Sequence, residues 1–189
     1  MELSDSDIVA RVLRGDPQAF RTLVERHQDR LFDLAFRMTG HRQEAEDIVQ
    51  TAFLKMYSKL GKYDTGWKFS NWAYSVTLNA TRDACRRKSL LRFLSLDVSP
   101  DEEAPVRETE GSSPAPDREL EARETLAELR RRLRGLPEDL SAPFILRHFH
   151  HAEIEDIAQA LGVSKNVVSV RLFRARERLW RELGKGGAR

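Results

Sequence analysis

Apolar residues return every three or four positions through most of this chain, and no stretch of comparable quality alternates with period two. From Asp16, a suitable N-cap, with Pro17 at the first helical position, Phe20, Leu23, Val24, Leu31, Leu34, Ala35 and Met38 mark one face of a helix that Gly40 should stop. A second helix is predicted from Gln43 to Leu60, with Gly61 after it. It buries Ala45, Ile48, Val49, Ala52, Met56 and Leu60 and presents Asp47, Gln50, Thr51 and Lys55 on its other side. After the loop GKYDTGWKF a third helix runs from Ser70 to Lys88, with Trp72, Ala73, Val76, Ala80 and Ala84 along one side. The expected fold class is therefore all-α.

The periodicity stops in DVSPDEEAPVRETEGSSPAPDRE, which holds four of the seven prolines and few large apolar residues. Such a segment cannot bury enough surface to offset its ordering entropy, so it reads as a flexible linker. Two small helical domains are expected, at 1–92 and 119–185, joined by this linker at 93–118 and keeping separate interiors. Beyond it, Leu120, Leu126, Leu129, Leu133 and Leu136 suggest a helix ending near Gly135. A shorter one follows over 140–149, with Ser141 as its cap because Pro143 is tolerated only near a helix start.

The most diagnostic pattern is EIEDIAQALGVSKNVVSVRLF at 153–173. Ala158 lets two helices approach closely, Gly162 makes a tight turn and Ser164 caps the next helix, the arrangement of a helix-turn-helix. In that last helix Val168, Leu172, Ala175, Leu179 and Leu183 form one stripe, and Arg171, Arg174, Arg178 and Arg181 form another about 120° away. If its N-terminal half enters a major groove, Arg174 can donate to guanine O6 and N7. Lys165 and Asn166 can reach base edges, Val167 and Val170 can touch thymine methyls, and Arg178 and Arg181 suit phosphates.

Charge sharpens this picture. Residues 1–88 carry 15 Lys and Arg against 12 Asp and Glu, and residues 125–189 carry 13 against 8, whereas 97–124 carry 3 against 10. The near-neutral total thus conceals two basic ends and an acidic middle, as expected of a nucleic-acid-binding chain. No apolar run is long enough to span a membrane and the N-terminus lacks a secretory pattern, so a cytoplasmic protein without membrane insertion is expected. The lone Cys85 reads as a buried or half-buried thiol, and the histidines of HFHH at 148–151 as caps or solvated side chains. Neither a catalytic motif nor zinc-ligand spacing occurs, so no enzyme activity, metal or cofactor is expected.

GDPQAF, AEDIVQTAF, FSNW at 69–72, NATRDACRR at 79–87, LPEDL and LGVSKNVVSVRLFRARERL stand in an order and spacing that resembles the extracytoplasmic-function (ECF) group of sigma factors of bacterial RNA polymerase. The resemblance covers nearly the whole chain. It implies two modules, sigma regions 2 and 4, that bind the polymerase core, recognise two promoter elements and melt the start-proximal one. Asp47, Gln50 and Thr51 match the face that docks on the clamp of the largest polymerase subunit. Thr51 stands where an acidic residue is common, leaving Asp47 more of the charge pairing. Tyr63 and Asn79 match positions that hold an unstacked base of the minus-ten element, with Trp67 an additional candidate and Arg82, Arg86, Arg87 and Lys88 following the backbone. Phe69 and Trp72 suit the core. The helix after Ser164 would read the minus-thirty-five element, where Val167 and Val170 depart from the polar or basic residues common in the family. An anti-sigma factor is an implied partner. Two other classes also fit: a stand-alone helix-turn-helix regulator, and a sigma-like interaction protein without initiation activity.

Overall fold

The computed structural model describes residues 3–94, 128–129 and 131–186. The acidic linker, Leu120 and Leu126 lie outside the described residues, as does the side chain of Leu183. Seven α-helices make up the described fold: α1 (Asp5–Leu13), α2 (Phe20–Thr39), α3 (Arg42–Ser58), α4 (Phe69–Leu94), α5 (Glu138–His148), α6 (Ile154–Leu161) and α7 (Lys165–Gly186). Residues 131–134 add a helical turn before α5. No strand occurs among the described residues.

Local chemistry sets most boundaries. Asp16 caps a 3-10 turn, Pro17–Ala19, that leads into α2, and Gly40 ends α2 in the left-handed conformation at φ 79°. The sequence pattern passes over α1, which Ser4 and Asp7 start with a reciprocal capping box. One boundary differs: α5 begins at Glu138, so Ser141 is not its cap but lies inside the helix and donates to the Glu138 carbonyl at 3.4 Å. Pro143 falls in the second turn, where its missing N–H leaves one helical bond unmade. In the helix-turn-helix, Gly162 adopts φ 65° and the Ser164 Oγ accepts from Val167 N at 3.4 Å. A Cβ at Gly162 would meet nothing within 4 Å, so Gly162→Ala pays only for the left-handed backbone. Thermal unfolding should report a loss of about 1–2 kcal/mol for that variant, and less for Gly162→Asn.

Packing corrects the expectation of two separate interiors. The largest cluster of buried side chains joins Leu23, Leu34, Met56 and Leu78 of the first module to Ile145, Leu146, Ile157 and Val168 of the second. Here α4 packs against α6 and α2 against α5. A smaller cluster of Leu133, Leu136, Leu140, Ala175 and Leu179 belongs to the second module alone. Each fully buried aliphatic side chain contributes about 1.5–3 kcal/mol, so a shared interior of this kind is a substantial part of what holds the compact form. Cys85 is also a correction, since it is exposed on α4.

Candidate nucleic-acid interface

Three surfaces carry the residues singled out by sequence. On α3, Asp47 and Gln50 are exposed and Thr51 half-buried, and Gln43 Nε2 donates to Asp47 Oδ1 at 3.4 Å. Beside them lies an open apolar groove of about 690 Å³ between α2 and α3, with Gln50 and Glu46 among its lining residues. Phe20, Phe32, Phe53, Leu54 and Tyr57 supply most of its apolar wall. Sequence reasoning missed this groove. Its signal is that Leu54 and Tyr57, which stay exposed, add apolar positions beyond those the helix needs for its own core.

The second surface is the loop at 62–68 together with α4. Trp67 is exposed at the loop tip, where Asp64 Oδ1 accepts from Gly66 N at 2.9 Å. Phe69 is buried and Trp72 half-buried. Tyr63 runs against the expected stacking role, being only 8% exposed. Its ring meets Phe69 edge-on at 5.7 Å and lies tilted against Trp72 at 5.1 Å, while its hydroxyl donates to the Trp67 carbonyl at 2.5 Å. Burial pushes that hydroxyl above the ordinary tyrosine range, and the charges of Asp5 and Asp64 add to the effect. Tyr63 thus holds the loop in shape in this conformation, and no face of its ring is open to a base. Further along, Asn79 is exposed and its Oδ1 accepts from Arg82 Nη1 at 2.9 Å. Arg86 and Arg87 are exposed, and Lys88 reaches Glu44 at 3.3 Å.

The third surface is α7. Val168, Leu172, Ala175 and Leu179 are buried, and Asn166, Val167, Val170, Arg174 and Arg178 are exposed. Arg171 is half-buried, Lys165 pairs with Glu155, and Arg181 lies 3.6 Å from Glu177. Phe173 and Trp180, which the sequence reading left unassigned, stand exposed seven residues apart on the same helix.

Between the modules lies a seam that the sequence did not reveal. Lys68 Nζ is 2.8 Å from Asp156 Oδ2, and the buried Asn71 donates from Nδ2 to Asp156 Oδ1 at 2.9 Å and to Gln159 Oε1 at 2.7 Å. Arg82 continues from Asn79 to Glu138, 2.8 Å away. The His150 side chain is only 4% exposed, its Nδ1 3.3 Å from the Tyr74 hydroxyl and its Nε2 3.2 Å from Asp33. Arg37 pairs with Asp33 at 2.7 Å and stacks over Phe149. Thus one of the three clustered histidines is an interface residue, while His148 packs on Phe144 and His151 is exposed. Among the described residues no group of three or more His, Cys, Asp or Glu is arranged to hold a metal, and no helix is long and apolar enough to cross a membrane.

The seam is pH-sensitive in a defined direction. Burial works to raise the Asp156 carboxyl, but hydrogen bonds from Lys68 and Asn71 outweigh it and hold the group below the ordinary carboxylate range. Burial opposes ionisation of Asp33 in the same way, and His150 and Arg37 overcome it. A depressed carboxylate stabilises the packed form above its unperturbed pKa of about 4, and that contribution is lost as pH falls through the lowered value. In a variant whose only tryptophan is Trp72, next in sequence to the seam residue Asn71, fluorescence should therefore change as pH falls below about 4.

A helix-turn-helix with an outward-facing polar and basic stripe, paired with a second basic helical module, defines a bipartite DNA-binding protein. Residues 23–90 match sigma-70 region 2 and residues 126–179 match sigma-70 region 4. The RNA polymerase sigma-H factor of Pseudomonas aeruginosa is 33% identical, over 92% of this chain and 90% of that protein. The ECF RNA polymerase sigma-E factor of Escherichia coli is 32% identical, over 93% of this chain and 92% of that one. Among solved structures, CnrH in complex with the cytosolic domain of CnrY superposes with a TM-score of 0.70 at 24% identity, covering 96% of this chain and 97% of that one. The sigma factor RpoE in complex with the anti-sigma factor NepR, from Bartonella quintana, gives 0.69 at 22% identity, covering 87% and 96%. The chain belongs to the ECF sigma factors of RNA polymerase. As such it binds the polymerase and directs it to particular promoters.

Proposed function

We propose that the three surfaces divide the work of initiation. Asp47, Gln50 and Thr51, with the apolar groove beside them, dock on the clamp of the largest polymerase subunit. The loop at 62–68 and α4 engage the minus-ten element: Trp67 and Asn79 receive an unstacked base, Tyr63 acts as the support behind the loop, and Arg82, Arg86, Arg87 and Lys88 follow the phosphates. On α7, Lys165, Asn166, Val167, Val170, Arg171 and Arg174 read the minus-thirty-five element, while Arg178 and Arg181 fix position. The observation that carries this reading is the exposed stripe of Val167, Val170 and Arg174 opposite a fully buried one, on the second helix of a helix-turn-helix.

The polymerase performs the chemistry and this chain contributes no catalysis of its own. It works in the cytoplasm. An anti-sigma factor is its regulatory partner, by analogy with the complexes of CnrH and RpoE. Reconstitution with core polymerase tests the assignment. A promoter-specific transcript that requires both components is expected; tight duplex binding without core would favour a stand-alone regulator, and core binding without a transcript a non-initiating relative. In the same assay Asp47→Ala should weaken core binding about tenfold, or about 1.4 kcal/mol. Unchanged affinity would remove Asp47 from the docking face.

A further inference from the structure

Helix α1 lies outside residues 23–90, the part of the first module that matches sigma-70 region 2, yet it is built into the support of the 62–68 loop. The capping box of Ser4 and Asp7 fixes its first turn, and Ile8 and Val9 anchor it in the main core. From that turn Asp5 faces α2: its Oδ1 accepts from Arg26 Nη1 at 3.0 Å, and its Oδ2 lies 2.8 Å from His27 Nε2. A carboxylate only accepts, so Nε2 is the donor and the imidazole is held in one orientation. The His27 side chain is 12% exposed, and its ring rests against Phe69 with centroids 5.1 Å apart. Phe69 in turn meets Tyr63 edge-on, and the Tyr63 hydroxyl ends the path on the Trp67 carbonyl. Asp5 and Ser6 also reach the Tyr63 hydroxyl directly, one by its charge and the other by a hydrogen bond. We propose that Asp5 and His27 are positioning residues for promoter opening: they carry the placement of α1 through Phe69 to Tyr63 and so set how the loop presents Trp67.

This rests on the assignment of the loop and α4 to the minus-ten element. Apolar burial alone would dock α1 without fixing its register, because it is non-directional. Two charge-assisted hydrogen bonds to consecutive residues of α2 supply that register. Arg26 adds a third, from Nη1 to the Leu3 carbonyl at 2.8 Å, so the chain entering α1 is tied to the same place. The position of the helix matters to the loop because α1 packs on the 3-10 turn Leu60–Lys62, from which the loop departs. Trp67 is 37% exposed at the loop tip and leans on Tyr63 beneath it. A binding group keeps its geometry to about 0.5 Å only where the residues behind it are locked by packing and hydrogen bonds. Asp5 and His27 are the locked layer behind Phe69 and Tyr63, and neither needs to touch DNA.

The test uses reconstituted holoenzyme on a promoter selected with the wild-type chain. Opening is followed by the permanganate reactivity of unpaired thymines, and core affinity is measured beside it. Asp5→Ala removes both acceptors, whereas His27→Phe keeps a ring against Phe69 and loses only the bond to Asp5. Arg11→Gln, which breaks the pair with Asp16 at the far end of α1, controls for loosening the helix as such. Asp5→Ala and His27→Phe should each lower opening about fivefold to tenfold, with core affinity within about twofold of wild type. Arg11→Gln should leave both unchanged. Because the two residues act along one path, the double variant should open promoters no worse than Asp5→Ala alone. Unchanged opening in both single variants overturns the proposal, as does a loss matched by an equal loss of core affinity, which marks a damaged fold instead of a displaced loop. An equal loss in Arg11→Gln, or losses that multiply in the double variant, overturns it too. The assignment of the loop fails separately, if Trp67→Ala combined with Asn79→Ala leaves opening intact.

Discussion

Tyr63→Ala is expected to lose about 3–5 kcal/mol of stability, the range for truncating a buried aromatic side chain, seen as a lowered urea midpoint. The ring is enclosed by Phe69 and Trp72, so its removal leaves a cavity that neither neighbour can fill without leaving its own place. Tyr63→Phe keeps the ring and gives up only the hydrogen bond to the Trp67 carbonyl, a loss of about 1 kcal/mol. The pair separates two roles. If Tyr63 supports the loop, the phenylalanine variant opens promoters nearly as well as wild type, and the alanine variant fails in proportion to its lost stability. If the ring instead swings out to stack on a base, Tyr63→Ala abolishes opening even at temperatures where the variant remains folded.

A comparable effect, on specificity instead of stability, is expected at Arg174. A bidentate contact from its guanidinium to a guanine edge discriminates by about 1–3 kcal/mol, roughly tenfold to a hundredfold. Selection of bound promoters with reconstituted holoenzyme should lose its preference at one position for Arg174→Ala. Arg181→Ala, further along α7 and near Glu177, should weaken all sequences alike and reduce the salt slope by about one. If both variants lose affinity uniformly, α7 positions the protein without reading bases at Arg174.

The helix-turn-helix was legible because its determinants are local. Gly162 and Ser164 each meet a requirement set by residues within four positions, and a single sequence displays such requirements directly. The periodic faces of α2, α3 and α4 could be read for the same reason. By contrast, the seam pairs Asn71 with Asp156 and Gln159, 85 and 88 residues apart, and nothing local marks an acidic residue in the first turn of α6 as more than a favourable charge at a helix start. The burial of Tyr63 was hidden for a related reason. An aromatic residue in a loop rich in glycine and charge looks exposed until Phe69 and Trp72 are known to close over it. The shared interior was hidden because the proline-rich acidic stretch suggests separation. Composition shows where a chain can bend, and not whether the pieces come back together.

The continuity of α4 from Phe69 to Leu94 has a geometric consequence of its own. At 1.5 Å per residue, its nine steps from Asn79 to Lys88 span about 13–14 Å, close to the length of four base pairs in duplex DNA. Under the proposed assignment, in which Asn79 accepts a base and Lys88 follows the phosphates, the helix is a measuring rod between the two. Inserting one residue near Ala84 would lengthen that rod only slightly but rotate everything beyond it by about 100°, turning the grip away from the strand while leaving every side chain present.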